Sequence, residues 1–151
     1  MLRDRFGLRE VIGLDLDPYM LGIARRRDPN AALVLADATR APFADASFDA
    51  VFDFGAIHFV AAWERALDEV RRLLRPGGRY YFEWVTGRFL RAFYPLAARG
   101  FERMRAPRPA ELLEALGRRG LEVGGRIVRP RFAASVTGLV GDVIGVGRVT
   151  P

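Results

Sequence analysis

Two short apolar runs, Leu33 to Ala36 and Ala50 to Phe52, each stop at an acid, Asp37 and Asp53, and a strand-like run from Val11 to Leu16 carries Asp15 near its end. Buried parallel strands read as continuous apolar segments, and the crevice outside their carboxyl ends is where open α/β sheets bind ligands. The acids are therefore the first candidates for polar recognition. Just beyond Asp53 come Phe54, Gly55 and His58, the last being the single histidine of the chain and its one side chain of near-neutral pKa. The stretch between Asp37 and Asp53 holds a Pro42-Phe43 pair and a Phe48-Asp49 pair, which punctuate the connection and offer no catalytic group.

The elements that must position these residues follow from periodicity. A strand is predicted from Val11 to Leu16, and Asp17-Pro18 is a good N-cap and first-position pair for a helix. Met20, Leu21, Ile23 and Ala24 give that helix an apolar face until Asp28-Pro29-Asn30 ends it. Strands follow at Leu33 to Ala36 and Asp49 to Phe54, joined by a connection too short and too Pro-marked for a full helix. Trp63, Ala66, Leu67, Val70, Leu73 and Leu74 recur at helical spacing, Arg75-Pro76-Gly77-Gly78 turns the chain, and Arg79 to Val85 is an aromatic-rich strand. Alternating β and α elements specify a mostly parallel, doubly wound sheet.

Further along, Phe89, Leu90, Phe93, Leu96, Phe101 and Met104 suggest a helical insertion around 88–105, a candidate lid or a helix packed on the sheet. A helix from Pro109 to Arg119, with Leu112, Leu113 and Leu116 inward, leads through Gly120 to a strand from Leu121 to Val128. The glycine-rich tail supplies a last strand around Asp142 to Val149, and Leu2 to Phe6 read as the last turn of a helix stopped by Gly7. With 151 residues and 50% apolar content, one domain with a real core is expected.

Composition excludes several chemistries. There is no cysteine and only one histidine, so disulfides, thiolate sites, a cysteine nucleophile and multi-histidine metal sites are ruled out. The net charge of +6 comes from 24 basic residues that are all arginine, with no lysine or glutamine. A GC-rich genome explains that bias as well as a nucleic-acid ligand would, and the scattered arginines argue against nucleic acid as a partner. Arg25-Arg26-Arg27 and Arg71-Arg72 read as solvated helix surface. No run approaches the roughly 20 apolar residues of a membrane span, and the opening lacks the apolar centre of a signal peptide, so a cytoplasmic protein without a membrane partner is expected.

Three blocks, VIGLDLDPYMLGIARRR, LVLADATRAPFADASFDAVFDFGAIHFV and ALDEVRRLLRPGGRYYFEW, in this order and spacing, resemble the class I S-adenosylmethionine-dependent methyltransferases of the small-molecule, type 11 kind. The resemblance covers about residues 9–85. It implies a Rossmann-like sheet, mostly parallel with an antiparallel C-terminal strand, S-adenosyl-L-methionine as cofactor, and methyl transfer to an O, N or C atom of a small-molecule acceptor. Asp15 then matches the acid that holds the cofactor's ribose hydroxyls, since one carboxylate can accept two hydroxyl hydrogen bonds. Leu16 matches the apolar residue against the adenine, Asp37 the acid that accepts from the adenine amino group, and Ala38 a backbone N–H donor to the ring. Asp53, Phe54 and Gly55 match the segment where the methionine end and the acceptor meet, and an aromatic ring there can face the sulfonium cation. His58 matches a histidine of the following loop and is the candidate general base. Arg75-Pro76-Gly77-Gly78 resembles the family's Pro-Gly-Gly corner.

The family's glycine-rich cofactor loop and its first strand belong about 20 residues before Asp15, upstream of Met1. That strand is central in the family's order 3-2-1-4-5-7-6, so without it strands two and four should either expose apolar edges, a route to self-association, or pair directly. A fragment, a degenerate non-catalytic interaction domain, and a rearranged domain whose glycine-rich tail fills the missing strand are the three explanations. An in-frame acid and Gly-x-Gly-x-Gly upstream of Met1 would identify the first.

Overall fold

The computed structural model of the chain describes residues 8, 10–84, 108–124 and 143–149. The expected helical turn at Leu2 to Phe6, the insertion around 88–105 and the strand beyond Gly124 lie outside the described residues. The chain divides into two compact units, Met1–Pro42 and Phe43–Pro151.

In the first unit, β1 (Ile12–Asp15) and β2 (Ala32–Leu35) form a two-stranded parallel sheet in the register Ile12↔Ala32 to Asp15↔Leu35. Helix α1 (Pro18–Arg27) supplies the crossover that a parallel pair requires. Asp17 caps it as expected, its side chain accepting the Tyr19 N–H at 2.8 Å, and Pro18 sits where a missing N–H costs nothing. Three arginines complement the dipole of the last turn, and Arg25 Nη1 donates to the Pro29 carbonyl at 3.0 Å. None of the α1 residues is buried, and Met20 is 48% exposed, so the apolar face read from the sequence is only half covered.

The second unit holds the core. Its sheet has the order β3-β4-β6-β5, with β3 Phe48–Phe54, β4 Leu74–Trp84, β5 Leu121–Val123 and β6 Val143–Val149. β3 and β4 are parallel, while β6 runs antiparallel to both β4 and β5. Between β3 and β4 come a 3₁₀ turn (Ile57–Phe59) and helix α2 (Trp63–Leu73), and α3 (Pro109–Arg118) precedes β5. α2 buries Ala66, Leu67, Val70 and Leu73 at helical spacing, and Leu74 extends the stripe into β4. α3 buries Leu112, Ala115 and Leu116 beside Leu121 and Val149. Burying each of the larger aliphatic side chains contributes about 1.5–3 kcal/mol. Leu113, expected inward, is 40% exposed, because it lies one residue, about 100°, off the stripe that Leu112, Ala115 and Leu116 define.

The tail strand therefore occupies an interior position of the second sheet, between β4 and β5, which removes the idea that it substitutes for a strand beside β3. Among the described residues β1 pairs only with β2 and β3 only with β4, so each keeps one edge without a strand. No helix among the described residues is long and apolar enough to cross a membrane.

Arg75-Pro76-Gly77-Gly78 also differs from the expected corner. Leu74 already pairs with Phe48, and the ladder resumes at Ala50↔Arg79, so the four residues bulge out of β4. Gly77 takes a φ of +77°, and a Cβ on Gly78 would lie 2.9 Å from the Arg75 carbonyl oxygen and 3.2 Å from Leu74 Cδ2. Gly78→Ala is accordingly expected to cost about 1–3 kcal/mol in urea unfolding, whereas Gly117→Ala, whose Cβ meets nothing within 4 Å, should leave stability unchanged or raise it.

Candidate functional site

Both acids of the first unit sit at the carboxyl edge of its sheet. Asp15 ends β1, and its backbone carbonyl accepts the Ala36 N–H at 3.0 Å, which extends the ladder by one bond and brings Asp37 to the same edge. Asp15 Oδ1 accepts the Asp17 N–H at 2.9 Å, and Asp37 Oδ1 accepts both the Thr39 N–H at 2.8 Å and the Thr39 hydroxyl at 2.9 Å. Those two bonds, the backbone one first, hold the Asp37 carboxyl below the usual carboxylate range. In each carboxylate one oxygen fixes a local turn and Oδ2 has no protein partner among the described residues. Asp37 is exposed, Leu16 is 67% exposed and Ala38 is half-buried. The turn-forming role of these acids and a ligand-binding role are thus compatible, because they use different oxygens.

Asp53, in the second unit, is in a different state. It is 8% exposed, and its carboxylate points into the structure, where Oδ1 accepts the N–H groups of Ala56 at 2.6 Å and Ile57 at 3.2 Å. Oδ2 accepts the hydroxyl of Tyr80, on β4, at 3.0 Å. Burial nonetheless outweighs these three hydrogen bonds and pushes the Asp53 carboxyl above its ordinary range. Burial likewise pushes Tyr80 well up, with the Asp53 charge adding to it, so the phenol stays a donor.

The carboxylate ties down the segment that follows. Gly55 is buried with a φ of +75°, a left-handed residue that reverses the chain into the 3₁₀ turn carrying His58. Phe54, 66% exposed, is stacked on Phe52 at 6.0 Å, and Phe52 on Tyr81 at 4.8 Å, giving a run of near-parallel rings along one face of β3 and β4. Asp53, Phe54, Gly55 and His58 thus lie on one short segment, with the acid turned inward and the phenylalanine outward.

Arg72 is more than solvated helix surface. Its guanidinium holds Glu69 through Nε and Nη2 at 2.8 Å each, the Phe43 carbonyl at 2.7 Å and Asp45 at 2.6 Å, while its own carbonyl accepts the Ala46 N–H at 2.8 Å. Arg75 adds the Ala46 carbonyl at 3.2 Å and Asp49 at 2.8 Å. The two arginines clamp the loop that feeds β3, including Ala46 at its positive φ of 48°. Among the described residues no group of three or more His, Asp or Glu side chains could hold a metal ion.

The element order, the parallel strands with an antiparallel C-terminal strand, and the acids at strand ends define a Rossmann-like methyltransferase fold. The family described as methyltransferase domain matches residues 1–82, and the chain belongs to that family, the class I S-adenosylmethionine-dependent methyltransferases. It is 46% identical over 84 residues to a demethylmenaquinone methyltransferase of Thermus thermophilus, covering 52% of this chain and 38% of that protein. The chain thus spans well under half the length of that relative. Among solved structures it is similar to a chain of the Haloferax volcanii complex of the Trm112 methyltransferase activator with a methyltransferase, at a TM-score of 0.74 and 23% identity over 99% of this chain and 76% of that one. It is also similar to the Burkholderia thailandensis 1,6-didemethyltoxoflavin-N1-methyltransferase with bound 1,6-didemethyltoxoflavin and S-adenosylhomocysteine. That likeness has a TM-score of 0.61 and 21% identity, covering 94% of this chain and 62% of that one.

The raised Asp53 pKa makes a signed prediction. The folded state holds the Asp53 proton to higher pH than the unfolded chain, so this residue favours folding in acid, and the contribution fades as the pH rises through the raised value. Asp53→Asn keeps the shape without the charge. Its stability relative to the parent, from urea unfolding midpoints, should rise as the pH is raised from about 4, the ordinary aspartate range; a difference that stays flat or falls would contradict the assignment.

Proposed function

We propose that the chain serves S-adenosylmethionine-dependent methyl transfer to a small-molecule acceptor. The observation that carries this reading is the pair Asp15 and Asp37: acids at the ends of adjacent parallel strands, each with one carboxylate oxygen spent on a turn and the other without a protein partner. Two such oxygens suit the vicinal hydroxyls of a ribose and the amino group of an adenine, and Leu16, exposed between them in sequence, offers apolar surface for the base. Asp15 is assigned to the ribose, Asp37 and the Ala38 N–H to the adenine. The likeness to a structure holding S-adenosylhomocysteine and to a demethylmenaquinone methyltransferase supports both the cofactor and a small-molecule acceptor.

When bound, the cofactor supplies an electrophilic methyl group on a sulfonium, whose carbon–sulfur bond breaks as the acceptor's lone pair forms the new bond. The protein's part is positioning and exclusion of water. Phe54 and Gly55 are assigned to the methyl-transfer end, where the exposed ring gives an apolar, cation-tolerant face. Asp53 contributes there through the turn it holds, its carboxylate being occupied by protein donors. His58 is assigned to take the proton of an acceptor that must lose one.

Calorimetric titration of the chain with S-adenosylhomocysteine tests the reading. Micromolar affinity is expected, about −8 kcal/mol, and Asp15→Ala should weaken it by about tenfold to a hundredfold through loss of hydrogen bonds to a charged acceptor. Absence of binding in a folded sample would return the chain to the alternative, a methyltransferase-like interaction domain without turnover.

A further inference from the structure

We propose that Tyr80 is a positioning residue for the methyl-transfer segment: its hydroxyl holds the Asp53 carboxylate in the orientation that ties down Ala56 and Ile57, and so sets Phe54 and Gly55. The inference rests on the assignment of that segment to the methionine end of the cofactor and the acceptor.

The geometry is specific. Val51 pairs with Tyr80 and Asp53 with Phe82, so Tyr80 lies two residues along β4 from the partner of Asp53, a diagonal neighbour on the same sheet face. Tyr80 is 1% exposed and stacked on Phe82 at 5.1 Å, in surroundings where a phenylalanine would fill the same volume without a polar atom to satisfy. The hydroxyl instead reaches the one carboxylate that closes the turn. Asp53 divides its acceptors: Oδ1 serves the turn's own amides, and Oδ2 serves the sheet. The turn then closes on itself, with Phe59 N–H donating to the Ala56 carbonyl at 2.9 Å and Val60 N–H to the Ile57 carbonyl at 3.0 Å. A carboxylate held by the turn alone could swing with it, whereas one also held from β4 fixes the turn to a strand buried in the core.

The test is Tyr80→Phe, read by amide exchange at Ala56 and Ile57 and by the affinities of two probes, S-adenosylhomocysteine and adenosine. Adenosine carries the groups assigned to Asp15 and Asp37 but lacks the methionine portion. Exchange at the two amides should quicken, S-adenosylhomocysteine affinity should fall by about tenfold, as expected for loss of a hydrogen bond to a charged group, and adenosine affinity should stay within about twofold. Equal losses for both probes would mean a merely structural role, and no loss for either would mean that the turn needs no tether; each overturns the inference while leaving the cofactor reading intact. If the parent binds neither probe, the cofactor reading itself fails and takes this one with it. Should Tyr80→Phe fold poorly because a buried charge loses its donor, the double variant Asp53→Asn, Tyr80→Phe removes the charge as well, and the same gap between the probes is expected there.

Discussion

A carboxylate placed where water cannot reach must have its oxygens met by donors, and Asp53 meets that condition from two elements at once. The amides of Ala56 and Ile57 come from the turn after β3, and the phenol of Tyr80 comes from β4. Even with all three, the cost of desolvation leaves the acid harder to ionise than in water. The segment after β3 inherits its shape from this arrangement. Gly55 takes a backbone conformation that β-carbon residues avoid, and His58 rides on the turn that follows.

The same unit secures the other end of β3 by a different means. Arg72 and Arg75 gather the Phe43, Ala46 and Ser47 carbonyls with the Asp45 and Asp49 carboxylates, so the loop's backbone acceptors are satisfied without regular structure. Exposed ion pairs of this sort are individually worth about 0–1 kcal/mol, so their value lies in the geometry they impose. The four-residue bulge at Arg75–Gly78 is part of that geometry, since it lets the Arg75 side chain reach back over the loop while β4 resumes its pairing with β3 at Arg79. β3 is thereby held at its start by arginines and at its end by a carboxylate.

What could be read from the sequence was whatever is local or periodic. The stripe Ala66, Leu67, Val70, Leu73 follows from helical spacing, the Asp17-Pro18 start from capping, and the strand ends from apolar runs that stop at acids. The antiparallel tail strand was also legible, and the order 3-2-1-4-5-7-6 that the resemblance implied puts it between β4 and β5, where it lies. Three features escaped because they depend on long-range placement. Leu113 has the composition of a core residue but the wrong phase; Arg72 has the composition of a surface residue but reaches a loop 29 residues away; and Tyr80 faces Asp53 only because of a register that the bulge in β4 sets. An aromatic residue in a strand rich in aromatics carries no mark of which one has a buried acid to meet.

The three strand-end acids show why a shared sequence signature does not fix a shared role. Asp15 and Asp37 begin turns whose amide donors lie two residues on, which occupies one oxygen and leaves the other without a protein partner among the described residues. Asp53 begins a turn whose donors lie three and four residues on, and the tighter wrap draws the carboxylate inward, where β4 supplies a phenol. The difference is electrostatic as well as geometric: local bonds to an exposed carboxylate stabilise its charge at Asp37, while burial opposes the charge at Asp53. An acid of the first kind keeps one oxygen to offer a hydroxyl or an amino group, and one of the second kind has both oxygens met by protein donors. Among the described residues the free carboxylate oxygens thus belong to Asp15 and Asp37, while both oxygens of Asp53 are spent on the backbone and the phenol that surround it.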